Sequence, residues 1–377
     1  MSQLGKRKIQ NVSDDFVSKK IPTPLPSGVR LNHILMMQIF MELIHNETGF
    51  EEDKGSDFTI TKLLLAGNEC VNGFKGVLNY VRSLELASDG RTNVDSFGRT
   101  SGLVFTLPLC CMMKDLIKRV TPLIESLSIR SIRPWMDDFM VIVAESAYRL
   151  KNLNVVGDKH HMGFDIFRPL KDRVKTVKIA PEFVANLDSW ELDHVHVMYN
   201  QQYIPGFLDK IKFTTKTITI DTFATLTVNL LSNMNLAMFN DNPHLHSVKT
   251  ARFLINFRSP LFLNYNGIML NAKHIFPNAT LYDFRINYSP MTRAATWNDN
   301  GFSENMDTWA NILRHLVPPS KTLKIHSITH VKPSRRVNMD LSAFVEEGFE
   351  PMSDVRVWQK SITTGRLDLR GEFIFYE

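Results

Sequence analysis

A five-residue alternation, polar-polar-apolar-polar-apolar, recurs along most of the chain. Its clearest copy is Lys216-Thr217-Ile218-Thr219-Ile220. Upstream stand Arg82-Ser83-Leu84-Glu85-Leu86, Glu125-Ser126-Leu127-Ser128-Ile129, Lys151-Asn152-Leu153-Asn154-Val155, Lys175-Thr176-Val177-Lys178-Ile179 and Asp193-His194-Val195-His196-Val197. Downstream follow Tyr282-Asp283-Phe284-Arg285-Ile286, Lys321-Thr322-Leu323-Lys324-Ile325, Ser353-Asp354-Val355-Arg356-Val357 and a weaker Ala251-Arg252-Phe253-Leu254-Ile255. A period of two predicts a strand with one buried face. Most intervals between copies fall in the roughly 20–50 residue window of solenoid repeats, at irregular spacing.

Helical segments are expected between several copies. Pro134 suits the first turn of a helix from Trp135 toward Arg149. Tyr203 to Leu208, Ala224 to Phe239 and Met306 to Leu316 are further candidates, the last stopped by Pro318-Pro319. Strand, helix, strand in series predicts parallel strands joined by right-handed crossovers. In such a stack Ile218 and Ile220 point into the core, and Thr217 and Thr219 face the open side. The stretch from Arg366 to Tyr376 alternates around Gly371 and reads as a strand pair or one final strand capping the end.

Before the first copy the periodicity changes. Leu31, Ile34, Leu35, Ile39, Phe40 and Leu43 keep helical spacing, and the segment is apolar enough to be buried on more than one side. A polar loop follows at Glu51 to Ser56, then a second expected helix across Leu63 to Val71 and a third near Phe74 to Tyr80. Residues 1–30 carry Lys6-Arg7-Lys8, Lys19-Lys20 and the spaced Pro22, Pro24 and Pro26, which predict a flexible tail and extended linker. The two basic clusters have the spacing of a bipartite nuclear import signal; a solvated tail is the alternative.

The run Leu31-Asn32-His33-Ile34-Leu35-Met36-Met37-Gln38-Ile39-Phe40, with Leu43 after it, resembles the opening of an F-box, and Leu63 to Cys70 with Phe74 resembles its second half. The repeats resemble leucine-rich repeats, although the Asn that follows the strand in that family is missing from most copies. Together these imply an α/β fold: a small helical F-box-like unit over 31–80, then an irregular leucine-rich-repeat-like solenoid over 81–377 with a curved parallel sheet. The resemblance implies a non-catalytic substrate adaptor of a Skp-cullin-F-box ubiquitin ligase. Leu31, Ile34, Leu35, Ile39, Phe40, Leu43 and Leu65 would meet the Skp-type subunit. His194, His196, Lys216, Thr217, Thr219, Lys321 and Lys324 would meet an unidentified protein target. A nuclear scaffold or nucleic-acid-associated repeat protein without a ligase role is the alternative.

Composition narrows these readings. Apolar residues make up 44% and there are 25 Phe, ample for a core and unlike a disordered chain. Cys70, Cys110 and Cys111 cannot build a disulfide framework, which points to a reducing compartment, cytoplasmic or nuclear. The N-terminus lacks the apolar run of a secretory signal. The densest apolar stretch, Leu103 to Met113, falls short of the roughly 20 residues that span a bilayer, so no membrane partner is expected. Net charge is +5, much of it from the basic residues of the first twenty, so a general nucleic-acid surface is not implied.

Chemistry-bearing residues are scattered. No glycine-rich phosphate loop accompanies Gly73 and Gly76. His160-His161 with Asp158 and Asp165 lacks a second spaced pair for a metal. His194 and His196 share a strand face, where surface or partner contact is the plainer reading. Asp138 and Glu145 share a helix face opposite Phe139, Ile142 and Val143, which makes it the solvated face. Cys110-Cys111 has no nearby base to make a nucleophile. Neither a cofactor, nor a metal, nor an enzymatic activity is expected.

Overall fold

The structure is a computed structural model, and it describes residues 34–39, 68–86, 92–95, 103–105, 117–129, 137–155, 164–198, 208–223, 242–257, 265–291, 314–315, 320–331, 345, 348–353 and 356–375. Among these residues, fourteen strands form one sheet that does not close on itself. In chain order they are β1 (Ser83–Leu86), β2 (Thr92–Asp95), β3 (Leu103–Phe105), β4 (Ser126–Ile129), β5 (Asn152–Val155), β6 (Thr176–Ile179) and β7 (Glu191–Met198). Then come β8 (Thr214–Phe223), β9 (Thr250–Phe257), β10 (Leu281–Met291), β11 (Thr322–Val331), β12 (Glu350–Pro351), β13 (Val357–Thr364) and β14 (Leu367–Phe375). The spatial order is β12-β13-β14-β11-β10-β9-β8-β7-β6-β5-β4-β1-β2-β3. β1, β4 to β11 and β14 are joined by parallel pairings, and antiparallel strands flank this run at both ends.

One register runs through the parallel strands. Counting each copy as positions 1 to 5, position 3 aligns Leu84, Leu127, Leu153, Val177, Val195, Ile218, Ala251, Tyr282, Leu323 and Leu367. Position 5 aligns Leu86, Ile129, Val155, Ile179, Val197, Ile220, Phe253, Phe284, Ile325 and Leu369 in the same way. Every one of these side chains is at most 5% exposed. Phe253 and Phe284, neighbours in that column, stack with ring centroids 4.8 Å apart. A slip of one residue would turn both columns out to solvent, so the columns themselves lock the register.

The backbone at position 1 adds a second ladder. The carbonyl of Arg82 accepts from the amides of Glu125 and Ser126, that of Glu125 from Lys151 and Asn152, that of Lys151 from Lys175 and Thr176, and that of Lys175 from Asp193 and His194. The same device returns where the carbonyl of Lys249 accepts from Thr280 and Leu281. A main-chain carbonyl thus links successive repeats in copies that lack an Asn after the strand.

The crossovers vary. α1 (Asn68–Leu78) precedes β1, α2 (Asp137–Ser146) joins β4 to β5, and α3 (Tyr265–Ile275) joins β9 to β10. Shorter connections use 3-10 turns at Phe164–Leu170, Pro181–Leu187, Leu208–Lys210 and Pro243–Ser247. Each puts apolar residues under the sheet: Met140 and Val143 from α2, Phe167, Val184, and Ala272 and Ile275 from α3.

The expectations are met unevenly. The copies at 82, 125, 151, 175, 193, 216 and 321 have the register of the sheet. Those at 251 and 282 start two residues late, since Lys249–Phe253 and Thr280–Phe284 are the aligned fives. The copy expected at 353 does not end in a parallel strand: Val357 opens β13, which runs antiparallel to β14, and β14 is the tenth parallel strand. The β13–β14 hairpin turns at Gly365, whose φ of 58° lies in the left-handed region that glycine tolerates. The hairpin of β2 and β3 has no counterpart in the alternation, and it occupies part of the long interval before the copy at 125. α2 lies within the expected helix, whereas α3 falls where none is expected. In place of separate helices across 63–71 and 74–80 there is a single α1 from 68 onward. Residues 1–30, 61–67, 106–116, 158–161, 203–207 and 224–239 lie outside the described residues.

Gly73 sits where α1 meets the segment before it. Residues 34–39 are helical and lie against α1, and a Cβ on Gly73 would sit 2.6 Å from Cβ of Met36, which is 2% exposed. Glycine here permits a close helix contact at a modest helix-propensity cost.

Two outcomes follow. Ile218→Ala should destabilise the chain by roughly 2–5 kcal/mol, through lost burial and the cavity left in the column, read by urea denaturation, while Lys175→Ala leaves the midpoint in place. Gly73→Val should loosen the 34–39 segment, so limited proteolysis cuts before α1 faster with the sheet core still protected.

Candidate functional site

Strand alternation puts positions 2, 4 and 6 on the face opposite the apolar columns. Over β4 to β6 the strands are four residues long and the face carries only positions 2 and 4. From β7 onward they lengthen, to 10 residues in β8 and 11 in β10, and the face widens. Position 4 then reads Lys178, His196, Thr219, Arg252, Asp283, Lys324 and Asp368 across neighbouring strands. Position 6 reads Asp221, Leu254, Arg285, His326 and Arg370.

Charges on this wide part alternate and pair across strands, where opposite signs stabilise a sheet. Arg252 Nε donates to Asp283 Oδ2 at 2.6 Å, and Arg285 Nε stands 3.5 Å from the same oxygen. Asp283 is only 5% exposed. Lys324 Nζ is 3.8 Å from Asp368 Oδ2. Glu372 Oε1 takes Arg370 Nη2 at 2.5 Å and has His326 Nε2 at 3.4 Å. Beside these, His196 Nε2 lies 3.7 Å from Asp221 Oδ2, and Asn256 Nδ2 donates to Asp221 Oδ1 at 3.2 Å.

His194 and His196 hold their rings parallel, centroids 6.4 Å apart. His194 Nε2 is 2.8 Å from Thr219 Oγ1. Burial pushes the His194 pKa below its ordinary value of 6.5, with the charges of His196 and Arg252 acting the same way. A histidine on a hydroxyl is the first half of a nucleophile–base pair. Here the hydroxyl belongs to Thr219, which is 2% exposed, and no carboxylate orients His194 among the described residues. Nor do the described residues hold a group of three or more His, Cys, Asp or Glu arranged for a metal ion.

The expected target residues divide between two places. His194, His196, Thr217, Thr219 and Lys324 occupy positions 2 and 4 and share the polar face, though Thr219 is buried there and serves His194. Lys216 and Lys321 are at position 1, which alternation puts with the core side at the strand start. Lys216 Nζ pairs with Asp193 Oδ1 at 2.8 Å; this bond and its charge raise the lysine and lower the aspartate from their ordinary values. Lys321 Nζ donates to the carbonyls of Pro277 and Ala279, just after α3, and burial with the charges of Lys273 and Lys249 lowers its pKa. These two lysines join repeats rather than face the open side.

Of the expected Skp-contacting residues, Ile34 and Leu35 are 47% and 43% exposed. Ile39 is partly buried against the core. Leu31, Phe40, Leu43, Leu65 and the basic residues Lys6, Arg7, Lys8, Lys19 and Lys20 lie outside the described residues. Arg252, Asp221, Asp283, Arg285 and Glu372 are face residues that the sequence pattern does not single out. For Arg252 the signal exists: Lys249-Thr250-Ala251-Arg252-Phe253 fits the repeat if alanine counts as apolar.

No helix among the described residues is long and apolar enough to cross a membrane. Comparison of the chain with protein-family models, with curated proteins and with solved structures gives no match.

The half-buried His194, its pKa depressed, sets a pH dependence. Its folded pKa lies below its unfolded one, so its stabilising contribution is full above about pH 6.5 and is lost as pH falls through that value toward the folded pKa. Urea midpoints measured from about pH 7.5 down to about pH 5.5 should fall more steeply in the native chain than in His194→Gln.

Proposed function

We propose that the chain is a non-catalytic substrate adaptor of a Skp-cullin-F-box type ubiquitin ligase, working in the cytoplasm, the nucleus or both. In this reading the helical unit is F-box-like and docks the Skp-type subunit, and the leucine-rich-repeat-like sheet offers its polar face to a protein target. The observation that carries it is the exposure of Ile34 and Leu35, two large apolar side chains adjacent on a helical segment whose other side is fixed by Met36 against Gly73. Apolar residues on a helix face are what a partner groove takes up. Ile39 packs with the core and belongs to the support of that face.

The polar face suits a folded protein or peptide better than a nucleic acid. A phosphate backbone calls for a run of uncompensated cations. Here Arg252, Lys324 and Arg370 each have a carboxylate partner. Contacts spread over several strands of a wide sheet are the usual mode of repeat proteins.

The test uses the full chain and a purified Skp-type subunit. Ile34→Asp with Leu35→Asp should weaken capture at least tenfold with the unfolding midpoint unchanged, since both positions are exposed. Failure of the native chain to bind, or undiminished binding by the double variant, removes the adaptor reading.

A further inference from the structure

We propose that Arg252 and Arg285 form an oxyanion-binding site on the polar face, taking a phosphate or carboxylate group presented by a bound molecule. The proposal deepens the reading of that face as the target surface and is independent of the helical unit's partner.

A guanidinium has three nitrogens, and both arginines direct the same one at Asp283, Arg252 by a hydrogen bond and Arg285 as an ion pair. Each turns Nε to Asp283 Oδ2, at 2.6 Å from Arg252 and 3.5 Å from Arg285. Among the described residues, no hydrogen bond is formed by any of the four Nη groups. The carboxylate beneath them is 5% exposed, while the arginine side chains are 31% and 54% exposed. The anchoring group is therefore covered and the forks are reachable. Arg370 on the same face contrasts with them: its Nη2 is taken by Glu372 and, at 3.1 Å, by Gln359 Oε1.

Register brings the forks together. Asp283 stands opposite Arg252 on β9, and Arg285 follows two residues on along β10, so the two arginines are diagonal neighbours on one face. Two cations over one carboxylate leave an excess positive charge. The planar fork of Arg252, held at Nε by its hydrogen bond to Asp283, is prearranged for paired N–H···O bonds to an oxyanion, and the exposed guanidinium of Arg285 stands beside it as a second fork. The next cation along the row, Lys324, has its own partner in Asp368 and does not complete the site. Arg252 also contributes to holding His194 below its ordinary pKa, which places its charge near the His194–Thr219 pair.

The experiment titrates the full chain with inorganic phosphate and with glutarate at matched ionic strength, followed by calorimetry. The native chain should bind at one saturable site. Arg285→Gln should weaken binding at least tenfold, and Arg285→Lys, which keeps the charge but not the fork, should weaken it comparably. Lys178→Gln, on the same face, should stay within twofold. Phosphate binding tighter than glutarate assigns a phosphorylated ligand; glutarate binding as tightly or tighter assigns an acidic side chain. Absence of saturable binding of either anion, or binding unchanged in Arg285→Gln, overturns the site. Arg285 is used because it is the more exposed of the two, and its variants should still capture the Skp-type subunit at the native level, which separates this test from that of the adaptor reading.

Discussion

A parallel strand satisfies its backbone only when a neighbour lies beside it in register, and no copy in this chain can do that alone. The four-residue strands β4, β5 and β6 are too short to stand by themselves. Their stability comes from two apolar columns running under the ten parallel strands and from the position 1 carbonyls that receive the next repeat. Each buried Leu, Ile or Val contributes roughly 1.5–3 kcal/mol of transfer free energy. The register thus depends on the sum of many similar contacts, and the antiparallel strands at both ends terminate the run.

Holding the register also decides what the other face can be. Once positions 3 and 5 are committed to the core, positions 2, 4 and 6 form aligned rows whose members sit next to residues distant in sequence. Arg252 meets Asp283, Lys324 meets Asp368 and His194 meets Thr219 for this reason alone. The lengthening of the strands after β6 adds position 6 and with it Arg285, His326 and Arg370. The chemically varied part of the face is therefore where the sheet is widest.

The alternation makes most of this legible. Ile218 and Ile220 announce a half-buried strand, and the same five-residue pattern by itself marks most of the parallel strands. It fails where side-chain type and position disagree. Ala251 is too small to signal a core position, and the aligned five of β10 puts Leu281 at a polar position and Tyr282 at an apolar one. The phenol of Tyr282 is buried and donates to the Phe276 carbonyl at 2.9 Å, and burial lifts its pKa to about 12. α3 escapes the pattern because its buried side is built from Met269, Ala272 and Ile275 amid polar neighbours. Charged residues mislead in another way: Lys216, Lys321 and Lys324 look alike in sequence, yet only position 4 puts Lys324 on the open face. The ion pairs are out of reach of the sequence because they depend on which strand neighbours which.

In the proposed reading, partner docking falls to the helical segment and target contact to the polar face of the sheet. Hydrogen exchange on the full chain, alone and bound to a purified Skp-type subunit, tests that division directly. The account predicts new protection in residues 34–39 and the adjoining turn of α1, with β7 to β11 unchanged. Protection spread over those strands, or none at 34–39, would contradict it.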